Sequence, residues 1–147
     1  MRHSLLILAT TSIFALTACQ KEDNPKSDTV SGVTNLATDG TWRITYFFDG
    51  SDETSNFTGY NFTFGSDNVL TATNGTNTYT GTWSVSDSNS DDDNLNELHF
   101  NVAFSSPANF EDLTDDWNFV EKTETLMKLS DVSGGNGGTD FLTFEKN

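Results

Sequence analysis

Beyond residue 40 the chain alternates apolar and polar residues with a period of two. In the segment TWRITYFF, Trp42, Ile44, Tyr46 and Phe48 occupy one set of alternate positions, and polar residues occupy most of the other set. Successive side chains of a β-strand point to opposite faces of a sheet. The pattern therefore predicts a half-buried strand with these four side chains on its buried face.

The same alternation recurs along the rest of the chain, between clusters of Gly, Asn, Asp and Ser that are typical of tight turns. Eight antiparallel strands with one aromatic-rich face can bury that face by closing into a barrel. We therefore expect an all-β fold, a small antiparallel up-and-down β-barrel of about eight strands. After the first strand, the predicted strands lie at residues 58–64, 69–73, 78–85, 97–104, 117–122, 125–131 and 140–146.

One segment, SPANFEDLTDD, interrupts the alternation between two of these strands. Phe110 and Leu113 are spaced three apart, acids fill the neighbouring positions, and Pro107 stands near the start. Proline is tolerated in the first turn of a helix, and this spacing places the two apolar side chains on one face. The segment predicts one short amphipathic helix, which we place as a lid or plug on the barrel.

The first eighteen residues have the pattern of a secretory signal peptide. MRHS supplies a short basic region, and LLILATTSIFAL supplies an uncharged apolar region that is too short to span a bilayer. Small residues then precede Cys19, which is the single cysteine of the chain. We divide the chain into a signal at 1–18, a flexible polar tether at 19–39 and one domain at 40–147.

The residues Leu16 to Cys19 resemble the bacterial lipobox, in which an aliphatic residue and two small residues precede a cysteine. The resemblance implies cleavage before Cys19 and acylation of that residue, and several acyl chains on one residue give a stable membrane anchor. The following QKED resembles the lipoprotein export signal of the Bacteroidota. It implies an outer-membrane lipoprotein that is exposed at the cell surface. The alternative to the lipobox is an ordinary secretory signal peptide. The alternative to the export signal is a plain soluble tether.

Charge and composition exclude several classes of function. The net charge of −15 repels nucleic acid and anionic lipid, so we expect neither as a partner. Without the signal the chain keeps one histidine, His99, and one arginine, Arg43, while its cysteine is acylated. These residues are too few to form either a Ser/His/Asp catalytic triad or a zinc site. We expect a monomeric domain that is not an enzyme and has no cofactor.

Gly40 to Trp42 resemble the Gly-x-Trp signature that opens the first strand of lipocalins. The resemblance covers residues 40–147 and implies a barrel that binds a small hydrophobic or amphiphilic molecule. The body is shorter than a typical lipocalin, and the arginine expected after the last strand is missing. If the likeness extends to binding, the ligand contacts would be Trp42, Tyr60, Tyr79, Trp83, Phe100 and Phe104. Alternatively, these rings fill the barrel themselves.

The acidic segment 87–94 has oxygen-bearing residues at positions 1, 3 and 5 of a calcium loop, but it lacks the later glycine and bidentate acid. We interpret it as a solvated hairpin loop and predict no metal site. Two functions remain open. The first is a surface lipoprotein that binds a small hydrophobic or amphiphilic molecule. The second is a non-enzymatic surface interaction protein with a filled barrel and acidic contact loops.

Overall fold

The computed structural model describes residues 28–89, 94–132 and 138–147. Within these ranges it contains two α-helices, nine β-strands and two single-turn 3-10 helices. The α-helices are α1 (Val30–Thr38) and α2 (Ala108–Glu111), and the 3-10 helices are Thr54–Phe57 and Leu95–Glu97. The strands are β1 (Trp42–Asp49), β2 (Ser51–Asp52), β3 (Asn61–Phe64), β4 (Val69–Thr73), β5 (Thr78–Asp87), β6 (Leu98–Ala103), β7 (Asp115–Lys122), β8 (Leu126–Val132) and β9 (Thr139–Lys146).

Eight of these strands form a closed antiparallel barrel. From β3 to β9 each strand pairs with its neighbour in the chain, β1 pairs with β3, and β1 also pairs with β9 to close the sheet. β2 is a two-residue strand that pairs only with the end of β1. The closed ring leaves the long strands without exposed edges. The predicted all-β barrel of about eight strands and its short helix are confirmed.

A β-bulge in β1 changes which residues of that strand face the interior. Opposite β9, Ile44 pairs with Phe144 and Tyr46 pairs with Thr143, so Thr45 is the extra residue. An extra residue shifts every later side chain to the other face. Phe47 is therefore fully buried, while Tyr46 is 40% exposed. The prediction that Tyr46 and Phe48 continue the buried face of Trp42 and Ile44 is wrong beyond the bulge.

A second bulge lies in β7. Phe119 pairs with Leu129 and Glu121 pairs with Lys128, which leaves Val120 as the extra residue. Phe119 is buried, whereas Val120 is 59% exposed. The bulge in β1 thus turns Tyr46 outward against strict alternation, whereas Val120 faces outward as alternation with the buried Phe119 requires.

α1 was not predicted, because the sequence before residue 40 indicates a flexible tether. The hydroxyl of Thr29 accepts a hydrogen bond of 3.0 Å from the backbone N–H of Gly32, which caps the first turn. Val33, Leu36 and Ala37 are buried in the same core as the barrel strands. The prediction of a flexible chain is therefore wrong over Val30–Thr38. The signal, Cys19 and residues 20–27 lie outside the described residues, so their roles stay predictions.

The two α-helices lie at opposite ends of the barrel. α1 leads into the start of β1, which lies beside the end of β9, the start of β8 and the end of β7. α2 instead lies before the start of β7. We call these the α1 end and the α2 end. Among the described residues, no helix is both long and apolar enough to cross a membrane.

Candidate functional site

The six predicted ligand contacts are distributed along the interior rather than gathered around one space. Trp42 lies next to α1, where its indole N–H donates a hydrogen bond of 2.9 Å to the carbonyl of Ala37. Trp83 and Phe100 contact each other in the middle, with ring centroids 5.8 Å apart. Tyr60, Tyr79 and Phe104 surround Phe110 of α2. Their role in binding stays a prediction.

The central rings contact further rings on every side. The ring of Phe64 lies 5.2 Å from those of both Trp83 and Phe100, in edge-to-face geometry. Phe100 also meets Phe119 at 5.8 Å, and Phe144 meets Phe64 at 5.4 Å. Such edge-to-face pairs add to the stabilisation that burial alone gives. Aromatic side chains therefore occupy the interior where the lipocalin resemblance places a ligand.

Phe110 closes the α2 end of the barrel. The ring is fully buried, although it comes from a helix of only four residues. The sequence identified this segment as a lid or plug, but Phe110 was not among the predicted site residues. Its ring centroid lies 4.8 Å from Tyr79, 5.1 Å from Tyr60, 5.2 Å from Phe104, 5.3 Å from Phe57 and 6.1 Å from Phe62.

Gly81 makes room for one of these rings. A Cβ atom built on Gly81 would collide with the carbonyl oxygen of Ala103 and would lie 2.8 Å from the ring of Phe104. Glycine in a strand often marks such a close approach. The absence of a side chain on β5 therefore lets Phe104 reach the ring of Phe110.

Lys146 occupies the position over Trp42 at the α1 end. Its ammonium lies 5.4 Å from the centroid of the Trp42 ring and 2.8 Å from a carboxylate oxygen of Asp39. A cation over an indole face is attracted by the ring quadrupole. The arginine that lipocalins carry after the last strand is missing here, and the lysine that ends β9 lies over the tryptophan instead, a contact that was not predicted.

Acidic side chains surround the α2 end. Asp49 ends β1, Asp112 follows α2, Asp115 begins β7, and Asp131 and Asp140 are direct partners across β8 and β9. We call this group the acidic rim. It comprises Asp49, Glu53, Asp112, Asp115, Asp116, Asp131 and Asp140.

Mutual repulsion and burial affect the protonation of the acidic rim. Burial, with the nearby charge of Asp131, raises the pKa of Asp115 from 3.8 to about 6. Burial and the charges of Asp140 and Asp112 also raise the pKa of Asp49. Carboxylate oxygens of Asp115, Asp116 and Asp131 lie within 4.8 Å of one another. Acids this close are common on acidic surfaces, and this grouping alone does not make a metal site.

The cations of the described residues are paired with acids outside the acidic rim. Each pair joins groups that lie towards the α1 end, so the cations of the described residues are concentrated at that end and away from the acidic rim. The pairs are Arg43–Glu145 at 3.0 Å, Lys122–Asp28 at 3.0 Å, Lys128–Glu121 at 2.6 Å and Lys146–Asp39 at 2.8 Å.

A groove of about 380 Å³ runs over the outside of β1, β9, β8 and β7. Tyr46, Val120 and Phe141 supply its apolar lining, and Lys128 and Thr143 lie between them. None of the six predicted ligand contacts lines this groove. The sequence did not reveal this groove because Tyr46 faces outward only as a result of the bulge in β1, and because the four strands that line the groove are brought together by the closed barrel.

The remaining candidate residues offer no clear chemistry. His99 alternates with the buried Leu98 and Phe100 as expected, but it is half-buried instead of fully facing solvent. Its Nδ1 is enclosed and has no hydrogen-bond partner among the described residues. Residues 90–93 of the acidic loop lie outside the described residues, so its interpretation as a solvated hairpin stays a prediction.

No protein-family model and no curated protein matches this chain. Among solved structures, a DUF4847 family protein from Bacteroides vulgatus ATCC 8482 is similar to it, with 17% sequence identity and a TM-score of 0.49. The match covers 78% of this chain and 97% of that chain. A likeness of this degree carries no argument about function.

Proposed function

We propose that this chain is a non-enzymatic surface lipoprotein, anchored in the outer membrane through an acylated Cys19, whose filled barrel contacts a partner through its outer surface. The observation that carries the proposal is the packing of aromatic rings through the interior, completed by Phe110 at the α2 end. The anchor is supported by the resemblance of residues 16–23 to a lipobox and an export signal.

Binding inside the barrel would require these rings to move. A ligand that entered through the α2 end would have to displace Phe110 from contact with five other rings. Removing a phenylalanine from a packed core costs about 3–5 kcal/mol. The favourable free energy of ligand contacts would have to exceed this cost before the ligand bound at all. The packing therefore favours a filled barrel over a binding barrel.

The acidic rim supports contact with a partner of positive charge. It lies at the end opposite α1, and α1 follows the predicted tether. An anchored barrel would thus direct the rim away from its anchor. Clustered charges of one sign raise the association rate of oppositely charged partners, and salt weakens this effect. The rim corresponds to the acidic contact surface of the second function that the sequence left open, although its acids come mainly from strand ends.

Uptake of a fluorescent fatty acid and native mass spectrometry of protein purified from its own cells test the filled barrel. We expect no fatty-acid uptake and no bound small molecule on the wild-type chain. A Phe110→Ala variant exposed to benzene is the control for an opened barrel end, because an apolar cavity left by removal of a buried side chain stays dry and takes up benzene. Stoichiometric uptake of the fatty acid by the wild-type barrel would contradict the proposal.

The anchor is tested separately. Labelling with radioactive palmitate should mark the wild-type chain and should be lost in Cys19→Ala. Protease treatment of intact cells should remove the barrel if it is exposed at the surface. Labelling that persists in Cys19→Ala would contradict the anchor, and protection from protease would place the domain in the periplasm.

A further inference from the structure

The groove outside β1, β9, β8 and β7 is lined by apolar side chains that are partly exposed to solvent. Tyr46, Val120 and Phe141 are 40%, 59% and 39% exposed. We call these three residues the outer apolar wall. Tyr46 points outward because the bulge at Thr45 shifts the register of β1, and Val120 and Phe141 point outward because each alternates with a buried neighbour on its strand. Bulges commonly re-aim a side chain, as at Tyr46.

The cations beside the outer apolar wall are held in ion pairs, and the acids of the rim lie towards the α2 end of the same strands. Lys128, which lines the groove, pairs with Glu121, and Arg43 pairs with Glu145 on the same four strands. The chain as a whole carries a net charge of −15. This side therefore presents apolar rings, a lysine stem and compensated charges to its surroundings. Aromatic residues with nearby lysine are characteristic of surfaces at a lipid–water boundary.

The predicted tether reaches the barrel beside this wall. Asp28, the first described residue, pairs at 3.0 Å with Lys122, and Lys122 ends the strand that carries Val120. The side chain of Lys122 is only 5% exposed, so the pair holds the entering chain against the barrel. The nine residues from Cys19 to Ser27 span at most about 30 Å when fully extended. An acylated Cys19 would therefore keep Asp28 and Lys122, at the border of this side, within about 30 Å of the bilayer.

We propose that the outer apolar wall lies against the lipid surface, with the rings of Tyr46 and Phe141 at the headgroup boundary. The inference rests on the acyl anchor of the proposed function and adds an orientation to it. A second copy of the chain is a poorer occupant, because two domains of strong negative charge repel each other. Since the acidic rim repels anionic lipid, the contact should be strongest on zwitterionic lipid and weaker when anionic lipid is added.

A fluorescent probe on the wall tests the contact. Because the chain has one cysteine, which acylation blocks, a Val120→Cys substitution gives the mature lipoprotein a single free thiol for an environment-sensitive dye. Thr80→Cys on β5 is the matched control, since Thr80 is also exposed and lies across the barrel. The full acylated chains are reconstituted on phosphatidylcholine vesicles, with and without lipids brominated in their acyl chains.

We expect the dye at residue 120 to shift to the blue and to be quenched by brominated lipid, while the dye at residue 80 stays aqueous. Addition of phosphatidylglycerol should reduce the quenching. Quenching at residue 120 should also fall in a Tyr46→Ser/Phe141→Ser background whose thermal melting is unchanged.

Three outcomes would overturn the inference. Chains that float with the vesicles while both dyes stay aqueous would disprove the lipid contact and leave the anchor intact. A blue shift at residue 120 that grows with protein density and is not quenched by brominated lipid would assign the wall to a second copy. Chains that do not float at all would refute the anchor, and the inference with it.

Discussion

The two ends of the barrel are closed in different ways. At the α1 end a nine-residue helix buries apolar side chains against the strands, and two lysines beside it, Lys122 and Lys146, pair with acids. At the α2 end a four-residue helix contributes one buried ring, Phe110, and the surrounding acids have no lysine or arginine of the described residues among them. The first end combines apolar burial with compensated charge, and the second combines apolar burial with charge repulsion.

This difference between the two ends indicates which groups stabilise the fold and which groups serve a function at the expense of stability. Burial of the rings under α2 favours folding, whereas the raised pKa values of Asp49 and Asp115 indicate that those acids oppose folding at neutral pH. Natural proteins accept such local costs mainly at surfaces that serve another purpose. The α2 end is therefore the end at which we expect a partner to bind.

Among the substitutions that test this comparison, replacing Phe110 by alanine should have the largest effect on stability. The change removes a fully buried ring that contacts five others, so we expect the free energy of unfolding to fall by about 3–5 kcal/mol. Urea denaturation followed by tryptophan fluorescence measures the loss.

Phe141→Ala is the matched control, because this ring is 39% exposed on the outer wall. Its cost should stay within about 1 kcal/mol, as for most surface substitutions. Equal losses in the two variants would show that Phe110 does not close the barrel end.

The strands were predictable because period-two alternation is a local property of the chain. The face assignment failed beyond Thr45, since a bulge depends on how β1 matches β9, a strand about 100 residues later. The sequence does contain a signal for α1, because Val33, Leu36 and Ala37 have helical spacing and follow Thr29, which caps the helix. Serine, threonine and glycine in the same segment have low helix propensity, and this composition led to the prediction of a flexible tether.

The acidic rim could not be read from the sequence. Asp49, Asp115, Asp131 and Asp140 are far apart in the chain and meet only because four strands begin or end at the same level. For the predicted ligand contacts, the sequence indicated the position of the side chains but not what they do there. Alternation correctly placed Trp83 and Phe100 inside, but it carries no information on whether their rings surround a space or fill it.

Replacing Asp115 by asparagine should have an intermediate effect and should depend on pH. In the folded chain the pKa of Asp115 is about 6, above its ordinary value of 3.8. The folded state therefore binds a proton that the unfolded state has released, so the contribution of Asp115 to the free energy of unfolding becomes more favourable as the pH falls from 7 towards 4. Since the side chain is only half-buried, we expect Asp115→Asn to stabilise the fold at neutral pH by about 1 kcal/mol.

Urea denaturation at pH 7 and near pH 4 measures this difference. The gain from Asp115→Asn should shrink at the lower pH, where the wild-type carboxyl group is protonated in the folded state. Asp116→Asn is the control, because that exposed neighbour should change stability by less at either pH. A variant that is less stable than the wild type at neutral pH would show that the Asp115 carboxylate contributes to folding instead of opposing it.

Replacing Lys146 by glutamine should have the smallest effect and tests the charges of the α1 end. The change removes both the contact with the Trp42 ring and the ion pair with Asp39, so we expect a loss of about 0.5 kcal/mol. Asp39→Asn removes only the ion pair, and because Asp39 is mostly exposed its loss should be smaller and should vanish in high salt. Thermal melting of both variants at low and high salt separates the two contributions. If Lys146→Gln is also neutral in high salt, the ring contact contributes nothing, and α1 alone closes this end of the barrel.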